Sequence, residues 1–344
     1  MKKLWLFSWV LFTLFIQMQC AGQSAPDIAS VESAAAAFGE SAAAAGVSLA
    51  SAAQRTTFAV VPDTVRPGDP FAVAVTAPAG VRSRWTAQLF GTAGNRIGQA
   101  VFFDLREESS NGPVWAALMA VPSTAAPGRA MVRIIGENGA VLGEPAVVIE
   151  SREFRTENLP LTNTMSDILT VPDPQKTLES RRLAEILNHT GSEVFCTGGF
   201  VMPVVSQVQT SRFGNRRVYR YPDGRTSSSI HAGIDWRAPE GTPITVCAPG
   251  RVVFAGPRIV TGNTVIIEHM PGVYSLCYHL SRIDLAEGRM VTSGESLGLA
   301  GSTGFSTASH LHWEVRVAGE NTDPEAFLGR TILDKDAIMS KLNE

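Results

Sequence analysis

Five residues of this sequence have types and spacings suited to metal chemistry. They lie in three short motifs: His231 and Asp235 stand four positions apart, His279 follows a run of strand-forming residues, and His310 and His312 flank one leucine. The chain has only six histidines, so four of the six fall in these motifs. Imidazole nitrogens and carboxylate oxygens are zinc ligands, which makes a zinc site the first hypothesis.

The run from His310 to Val317 alternates polar and apolar residues. Period-2 alternation predicts a strand with one polar and one apolar face, so both histidines point the same way. They are separated by two residue rises, about 6.6 Å. One histidine can therefore hold a metal while the other stands beside it in the same pocket.

A complete site needs partners from upstream. A straight strand would place His231 and Asp235 about 13 Å apart, so the chain must turn between them, and Gly233 makes a tight turn inexpensive. His231, Asp235 and His312 then form a set of three protein ligands for one Zn²⁺ per chain. Three ligands leave a fourth position for water, the arrangement of a catalytic zinc.

Proton transfer needs further groups. The sequence lacks the His-Glu-x-x-His helix motif that supplies a glutamate base. His279 and His310 are the available substitutes, and both can approach the open coordination position. Glu314 shares the face of His312 and has two readings: it orients a histidine from behind, or it is an ordinary exposed strand residue.

These motifs, with the segments 238–243 and 301–304 between them, resemble the lysostaphin-type zinc endopeptidases of bacterial cell walls. The resemblance extends from about Pro203 to Phe327. It implies a small, mostly antiparallel β domain with an open groove, zinc held by the three ligands and catalysis by His279 and His310. The implied substrate is the peptide part of peptidoglycan. The family often has a groove tyrosine before the first ligand, and Tyr219 and Tyr221 are both candidates.

The rest of the chain is predicted to be mainly β. Short apolar runs between turn residues predict a β-sandwich over 56–150, with strands at Phe58–Val61, Phe71–Val75, Trp85–Phe90, Val114–Leu118, Met131–Ile135 and Ala146–Ile149. The segments 65–70 and 126–128, each before a strand, resemble immunoglobulin-like bacterial envelope modules, which implies that type of sandwich. A partly helical connector, 151–200, has helical spacing from Gln175 to Asn188 after Asp173-Pro174, and His189 follows as a C-terminal helix residue. The antiparallel β peptidase domain covers 201–330, and 331–344 is a C-terminal tail.

The N-terminus has the features of an exported protein. Residues 1–23 combine a charged start with a short apolar run, which indicates a signal peptide, and 24–55 form an Ala/Ser-rich tether. Cys20 is a candidate for lipid attachment, and an uncleaved signal is the other route to the membrane. We therefore expect a periplasmic or cell-envelope location. A net charge of −3 gives no basic footprint for nucleic acid.

Several alternatives stay open at this point. Cys247 and Cys277 follow strand-like runs that could be neighbours, so they are candidates for a disulfide. Five arginines between 212 and 225 either line a groove that receives carboxylates or belong to a solvated loop. His269 is expected to be a strand-end residue and not a ligand. The alternative to an enzyme is a non-catalytic peptidoglycan-binding or amidase-activating protein, and the oligomeric state is not predicted.

Overall fold

The computed structural model describes residues 56–76 and 85–344. The predicted signal peptide, the tether and Cys20 lie outside the described residues. Within the described part, no helix is both long and apolar enough to cross a membrane. The described residues belong to one unit, Ala53–Glu344.

Ten strands form the N-terminal half of this unit: β1 Phe58–Val61, β2 Thr64–Val65, β3 Pro70–Thr76, β4 Thr86–Phe90, β5 Arg96–Val101, β6 Phe103–Ser109, β7 Gly112–Ala120, β8 Gly128–Ile135, β9 Val141–Gly143 and β10 Ala146–Ile149. They make a four-stranded sheet, β1-β3-β7-β6, and a six-stranded sheet, β2-β10-β8-β4-β5, with β9 paired to β8. All six predicted strands are present. The mainly β prediction is confirmed, and the immunoglobulin-like type stays a prediction.

Strand β3 is buried on both faces, which joins this half to the rest of the chain. Phe71, Val73 and Val75 pack with the second sheet in one apolar core. Ala72 and Ala74 point the other way and belong to a core that includes Trp313 and other residues of the C-terminal half. Because successive strand residues face opposite sides, the sheet of β3 lies between two cores.

The connector contributes both helices and a strand. Strand β11, Thr156–Pro160, is followed by helix α1, Asn163–Thr170, and helix α2, Pro174–Asn188. The predicted start of α2 is correct, since Asp173 caps it by accepting a hydrogen bond from the Gln175 N–H, and His189 is its C-terminal cap. Helix α1 and strand β11 were not predicted.

The C-terminal half is built on an eight-stranded antiparallel sheet. Its elements are β12 Gln209–Ser211, β13 Arg216–Arg220, β14 Thr226–Ile230, β15 Ile234–Arg237, β16 Pro243–Thr245, β17 Gly250–Arg258, β18 Gly262–Met270, β19 Val273–Leu280, β20 Arg282–Ile283, β21 Met290–Val291, β22 Ser296–Leu299, β23 His310–Val317 and β24 Glu320–Thr322. The large sheet runs β12-β15-β23-β19-β18-β17-β21, with β24 paired to β23. Other strands form two three-stranded sheets, β11-β13-β14 and β16-β22-β20. A 3₁₀ turn follows at Pro324–Phe327.

The predicted C-terminal tail holds a helix, α3, Lys335–Leu342, which contacts the N-terminal half. Ile338 and Leu342 are fully buried in the shared core. Lys341 pairs with Asp63 at 2.6 Å, and the Leu342 carbonyl accepts a hydrogen bond from the Thr57 hydroxyl. The end of the chain is therefore packed against its first described strand.

The core under the large sheet contains His269 and all three described cysteines. Cys196, Cys247 and Cys277 are free thiols, so the possible disulfide between Cys247 and Cys277 is not formed. Burial raises the pKa of the Cys247 thiol to about 12. His269 donates from Nδ1 to the Pro249 carbonyl and is a core residue, as its expected non-ligand role requires.

Helix α3 gives a direct test of how the two halves are joined. We expect Leu342→Ala to lower the free energy of unfolding by about 2–5 kcal/mol, because it leaves a cavity in the shared core. Urea denaturation measures this. Ser340→Ala, on the exposed side of the same helix, is the control and should change stability by less than about 0.5 kcal/mol. Equal effects of the two substitutions would contradict the packing.

His269 predicts an acid-sensitive fold. Burial lowers its pKa to about 4 in the folded chain, against 6.5 when exposed, so the unfolded state binds more protons between these values. Stability should fall as pH drops from 6.5 to 4, by about 3 kcal/mol from this residue. Denaturation of the wild type and of His269→Asn across this range measures the slope. A wild-type slope no steeper than that of the variant would contradict the assignment.

Candidate metal centre and groove

The pairing of β15 with β23 brings two of the candidate ligands, Asp235 and His312, together. Asp235 lies directly opposite His312 in this antiparallel pair. Opposite residues of such a pair have side chains on the same face and Cβ atoms about 5 Å apart. The Asp235 Oδ1 atom is 2.6 Å from His312 Nδ1, so the carboxylate and the imidazole converge at one point.

His231 completes the set from the segment before β15. Its Nε2 lies 3.0 Å from His312 Nδ1 and 3.1 Å from Asp235 Oδ1. Its Nδ1 donates to the Arg212 carbonyl at 2.8 Å, which turns Nε2 toward the other two ligands. The three candidate ligand atoms therefore lie close to one another, and the three side chains are buried.

Gly233 is needed in this segment for a reason other than the predicted one. A Cβ at this position would lie 2.2 Å from the Trp313 carbonyl oxygen of β23. Its backbone is not in the left-handed region, so the requirement is close approach and not a tight turn. This approach lets the strand that carries Asp235 lie against the strand that carries His312.

A partly buried ion pair supports the carboxylate of this cluster. Arg217 of β13 places Nη2 2.5 Å from Asp235 Oδ2. Burial opposes ionisation of Asp235, but His312 and His231 outweigh it and hold the pKa of this carboxyl well below its usual range. Asp235 is therefore ionised at neutral pH, with one oxygen toward the histidines and the other held by Arg217.

Behind His312 lies a second carboxylate. Glu314 Oε1 is 3.0 Å from His312 Nε2, and Arg316 contacts Glu314 Oε2 through two nitrogens. Although burial favours the neutral forms, these partners lower the pKa of Glu314 to about 2, while Asp235 and Glu314 raise that of His312 to about 9. Of the two interpretations of Glu314 from the sequence, the structure therefore favours the one in which it orients a histidine from behind. Its contact with Nε2 of His312 leaves Nδ1 of that ring to face the cluster.

The two candidate catalytic histidines stand beside the cluster. His279 donates from Nδ1 to the Thr303 carbonyl and His310 from Nδ1 to the Ala308 carbonyl, at 2.8 and 2.7 Å. Both rings therefore keep Nε2 for the site, and their centroids are 4.9 Å apart. His310 Nε2 lies 3.6 Å from Asp235 Oδ1. Burial, with His310 and His312 nearby, lowers the pKa of His279 to about 3, so this ring is neutral at pH 7.

Asp235 and His312 of the cluster line a groove of about 580 Å³ together with His279 and His310. One wall comes from β13, where Arg217 and Tyr219 face the groove, and another from the loop before β23. Tyr219 packs edge-to-face against Phe305 of that loop. Of the two tyrosines considered from the sequence, Tyr219 lines the groove, whereas Tyr221 hydrogen-bonds Ser227 in the exposed hairpin.

The connector supplies a third wall. Strand β11 pairs in parallel with β13 from Thr156 to Pro160, and Leu159 and Met165 line the groove beside the histidines. Glu157 accepts hydrogen bonds from Ser211 and Asn215 and lies 3.5 Å from Arg217 Nε. The structure therefore places part of the connector next to the site.

Sequence reasoning found one neighbour of the cluster in part and missed another. Arg217 belonged to the arginine group for which a groove wall was one of two interpretations, and it does line the groove, but its pairing with Asp235 was not predicted. Glu157 carried no signal because its position depends on a long-range strand pair. A period-2 reading of 216–220 could have placed Arg217 and Tyr219 on one face. The partner of that face could not have been found in this way.

The donor set fits a divalent zinc ion. Two imidazole nitrogens and one carboxylate oxygen lie within hydrogen-bonding distance of one another. The lone pairs of these atoms would repel each other unless a proton or a cation lay between them, and all three atoms are of types that bind Zn²⁺. The histidines are oriented from behind by a carbonyl and a carboxylate, which is how ligating histidines are usually held. Ligand deprotonation would accompany binding, because His312 must lose its proton.

Comparisons with known proteins give a family match over part of the chain. Residues 229–324 match the model of Peptidase family M23. The chain is 42% identical over 128 residues to a DD-carboxypeptidase/endopeptidase, Mpg, of Neisseria meningitidis serogroup B, covering 37% of this chain and 29% of the relative. It is 36% identical over 114 residues to lysostaphin of Staphylococcus staphylolyticus, covering 31% and 24%. The chain thus spans less than a third of the length of these curated relatives. The resemblance drawn from the histidine motifs is confirmed over the matched range.

The fold of a larger part of the chain also has a solved counterpart. A crystal structure from Pseudomonas aeruginosa assigned to peptidase M23 superposes with a TM-score of 0.50 and 24% sequence identity. The superposition covers 77% of this chain and 94% of the Pseudomonas aeruginosa chain. Since the identity is low, the likeness concerns the fold.

The orienting role of Glu314 predicts a change in metal affinity. We expect Glu314→Gln to weaken zinc binding by about 10–100-fold, because the amide keeps a hydrogen-bond acceptor but loses the charge behind His312. Competition with a chromophoric chelator measures the affinity. Glu287→Gln removes a charge from an exposed pair with Arg182 and should leave it unchanged. An unchanged affinity in correctly folded Glu314→Gln protein would contradict the role.

Proposed function

We propose that this chain, whose residues 229–324 belong to Peptidase family M23, is an exported zinc endopeptidase that hydrolyses peptide bonds in peptidoglycan. The observation that carries the proposal is the convergence of His231, Asp235 and His312 beside a groove that is lined by Asp235, His312, His279 and His310. Relatives named peptidoglycan DD-endopeptidase and lysostaphin support the substrate class. The bond that is cut, in a cross-link or in a stem peptide, is left open.

The roles of the residues follow from their positions. His231, Asp235 and His312 would hold one Zn²⁺, which supplies Lewis-acid polarisation and makes a water easier to deprotonate. His310 and His279 present Nε2 atoms to the same space, so each can accept or donate a proton beside the scissile carbonyl. Because both Nδ1 protons are held by carbonyl oxygens, these rings are fixed before substrate binds.

His279 is held in an unusual backbone conformation. Its φ is +62°, in the left-handed region that a residue with a Cβ seldom adopts. Its N–H donates to the Thr261 carbonyl and its ring to the Thr303 carbonyl, so contacts on two loops maintain this conformation. A cost of about 1 kcal/mol or more at a single residue is typical of functional sites, and it supports a catalytic role for this histidine.

The location and the domain roles belong to the same proposal. The sequence of 1–23 supports export to the periplasm or cell envelope, with Cys20 or an uncleaved signal as possible membrane attachment. We retain the predicted boundaries, with an immunoglobulin-like module at 56–150, a connector at 151–200 and the peptidase domain at 201–330. Peptidoglycan is the proposed partner.

The alternative is a protein that binds peptidoglycan or activates an amidase without cutting. Such a protein has no need for a complete set of ligands and catalytic histidines. All five residues are present here: His231 is buried beside Asp235 and His312, and the other four line one groove, which favours the enzyme. Zinc content and turnover separate the two functions.

We expect the wild-type protein to bind about one zinc per chain and to release peptides from purified peptidoglycan. His312→Ala should lose both properties, because it removes a ligand. His310→Ala should keep the metal and lose turnover by about a hundredfold or more, because it removes a proton-transfer group and no ligand. Metal analysis and chromatography of the released fragments measure these outcomes.

A matched histidine substitution serves as control. His189 caps helix α2 and is exposed, so His189→Ala should leave zinc content and turnover unchanged. Wild-type protein that binds zinc but cuts no wall preparation would overturn the enzyme and favour the binding alternative. Equal turnover of His310→Ala and wild type would overturn the catalytic role of His310.

A further inference from the structure

An arginine next to the candidate catalytic histidines has no assigned function. Arg237 ends strand β15, two residues after Asp235, so both side chains lie on the same face of the sheet. Its cross-strand partner is His310, just as the partner of Asp235 is His312. The ligand pair and the pair formed by Arg237 and His310 therefore lie side by side along one face.

Arg237 is also available for a ligand. It lines the groove with His279 and His310 and is exposed. Across residues 56–76 and 85–344, its guanidinium makes no ion pair or hydrogen bond, whereas Arg217 on the opposite wall is held by Asp235 and Glu157. Of the two arginines that line the groove in the described part of the chain, Arg237 is thus the one whose guanidinium has no protein partner.

We propose that Arg237 binds a carboxylate of the substrate and selects peptides that carry one near the scissile bond. A guanidinium binds a carboxylate through two parallel charge-assisted hydrogen bonds, which gives both affinity and orientation. The inference rests on the proposed function, because it assigns a substrate feature to the same groove.

The distances limit where this carboxylate can be. Two strand rises separate Arg237 from Asp235 along β15, about 6.6 Å, and an extended peptide advances about 3.3 Å per residue. The carboxylate therefore belongs within about two residues of the cleaved bond. In a peptidoglycan peptide it can come from the free chain terminus or from the free carboxylate of a diamino acid, and both present the same chemistry.

The acidic residues of the groove do not compete for Arg237. Glu157 is held by Ser211, Asn215 and Arg217, and Asp235 faces the two histidines and Arg217. A substrate carboxylate entering near His310 therefore meets an unpaired positive charge at this end of the groove.

The test compares peptides that share one cleavable bond. One peptide has both carboxylates free, one has the terminal carboxylate amidated, and one has the diamino-acid carboxylate amidated. We expect wild-type kcat/KM to fall on the order of tenfold for one of the amidated peptides, which identifies the carboxylate that is bound. Arg237→Ala should lower kcat/KM on the free peptide by a similar factor and leave unchanged the kcat/KM of the amidated peptide that the wild type cleaves poorly. Arg237→Lys should recover part of the loss.

Arg225→Ala is the matched control, because Arg225 lies in the exposed β13–β14 turn and pairs with Asp223 outside the groove. It should behave as wild type on all three peptides. Wild-type protein that cleaves all three peptides equally, with no change in Arg237→Ala, would overturn the inference and leave the proposed peptidase function intact.

A binding measurement separates this inference from turnover. Calorimetry with zinc-loaded His279→Ala protein should show tighter binding of the free peptide than of one amidated peptide, and the added substitution Arg237→Ala should remove the difference. This result would support the carboxylate site even if the wild type cut none of the peptides, a case in which the proposed function fails. Equal binding of all three peptides would overturn the inference.

Discussion

The register between β15 and β23 is the constraint on which the rest of the site depends. Placing Asp235 opposite His312 puts a carboxylate oxygen and an imidazole nitrogen 2.6 Å apart. A slip of one residue would turn every side chain of one strand to the other face and separate the pair. The apolar neighbours of Asp235 and His312 prevent such a slip, because Leu311, Trp313 and Ile234 are fully buried on the opposite face of the sheet. Burial of one face thus sets the position of the metal ligands on the other.

Oppositely charged side chains alternate around Asp235 and His312. Asp235 is held by Arg217, His312 by Glu314, and Glu314 by Arg316. Each buried charge has an opposite charge as its neighbour, which reduces the cost of removing it from water. The arrangement also keeps each ring nitrogen in a defined role, since Glu314 occupies Nε2 of His312 and leaves Nδ1 for the cluster.

Local patterns were sufficient to predict much of the fold and the main residues of the site. Alternation identified strand β23, turn residues separated the strands of the N-terminal half, and Asp173-Pro174 marked the start of α2. The features that were missed depend on contacts between distant parts of the chain. Strand β11 gains its partner from β13, more than 50 residues later, and Gly233 is required by an approach that its own neighbours do not reveal. Helix α3 was assigned to a tail because its apolar residues are few and its partner sheet lies at the other end of the sequence.

The contact between Thr57 and Leu342 means that the described chain ends close to where it begins. Strand β1 and helix α3, the first and last described elements, are in contact with each other. The groove is formed by segments from the middle of the sequence. The order in which the segments follow one another is then less important than which segments are present. A circular permutation that joins residue 344 to residue 56 and opens the exposed β13–β14 turn would retain every strand pair of this architecture.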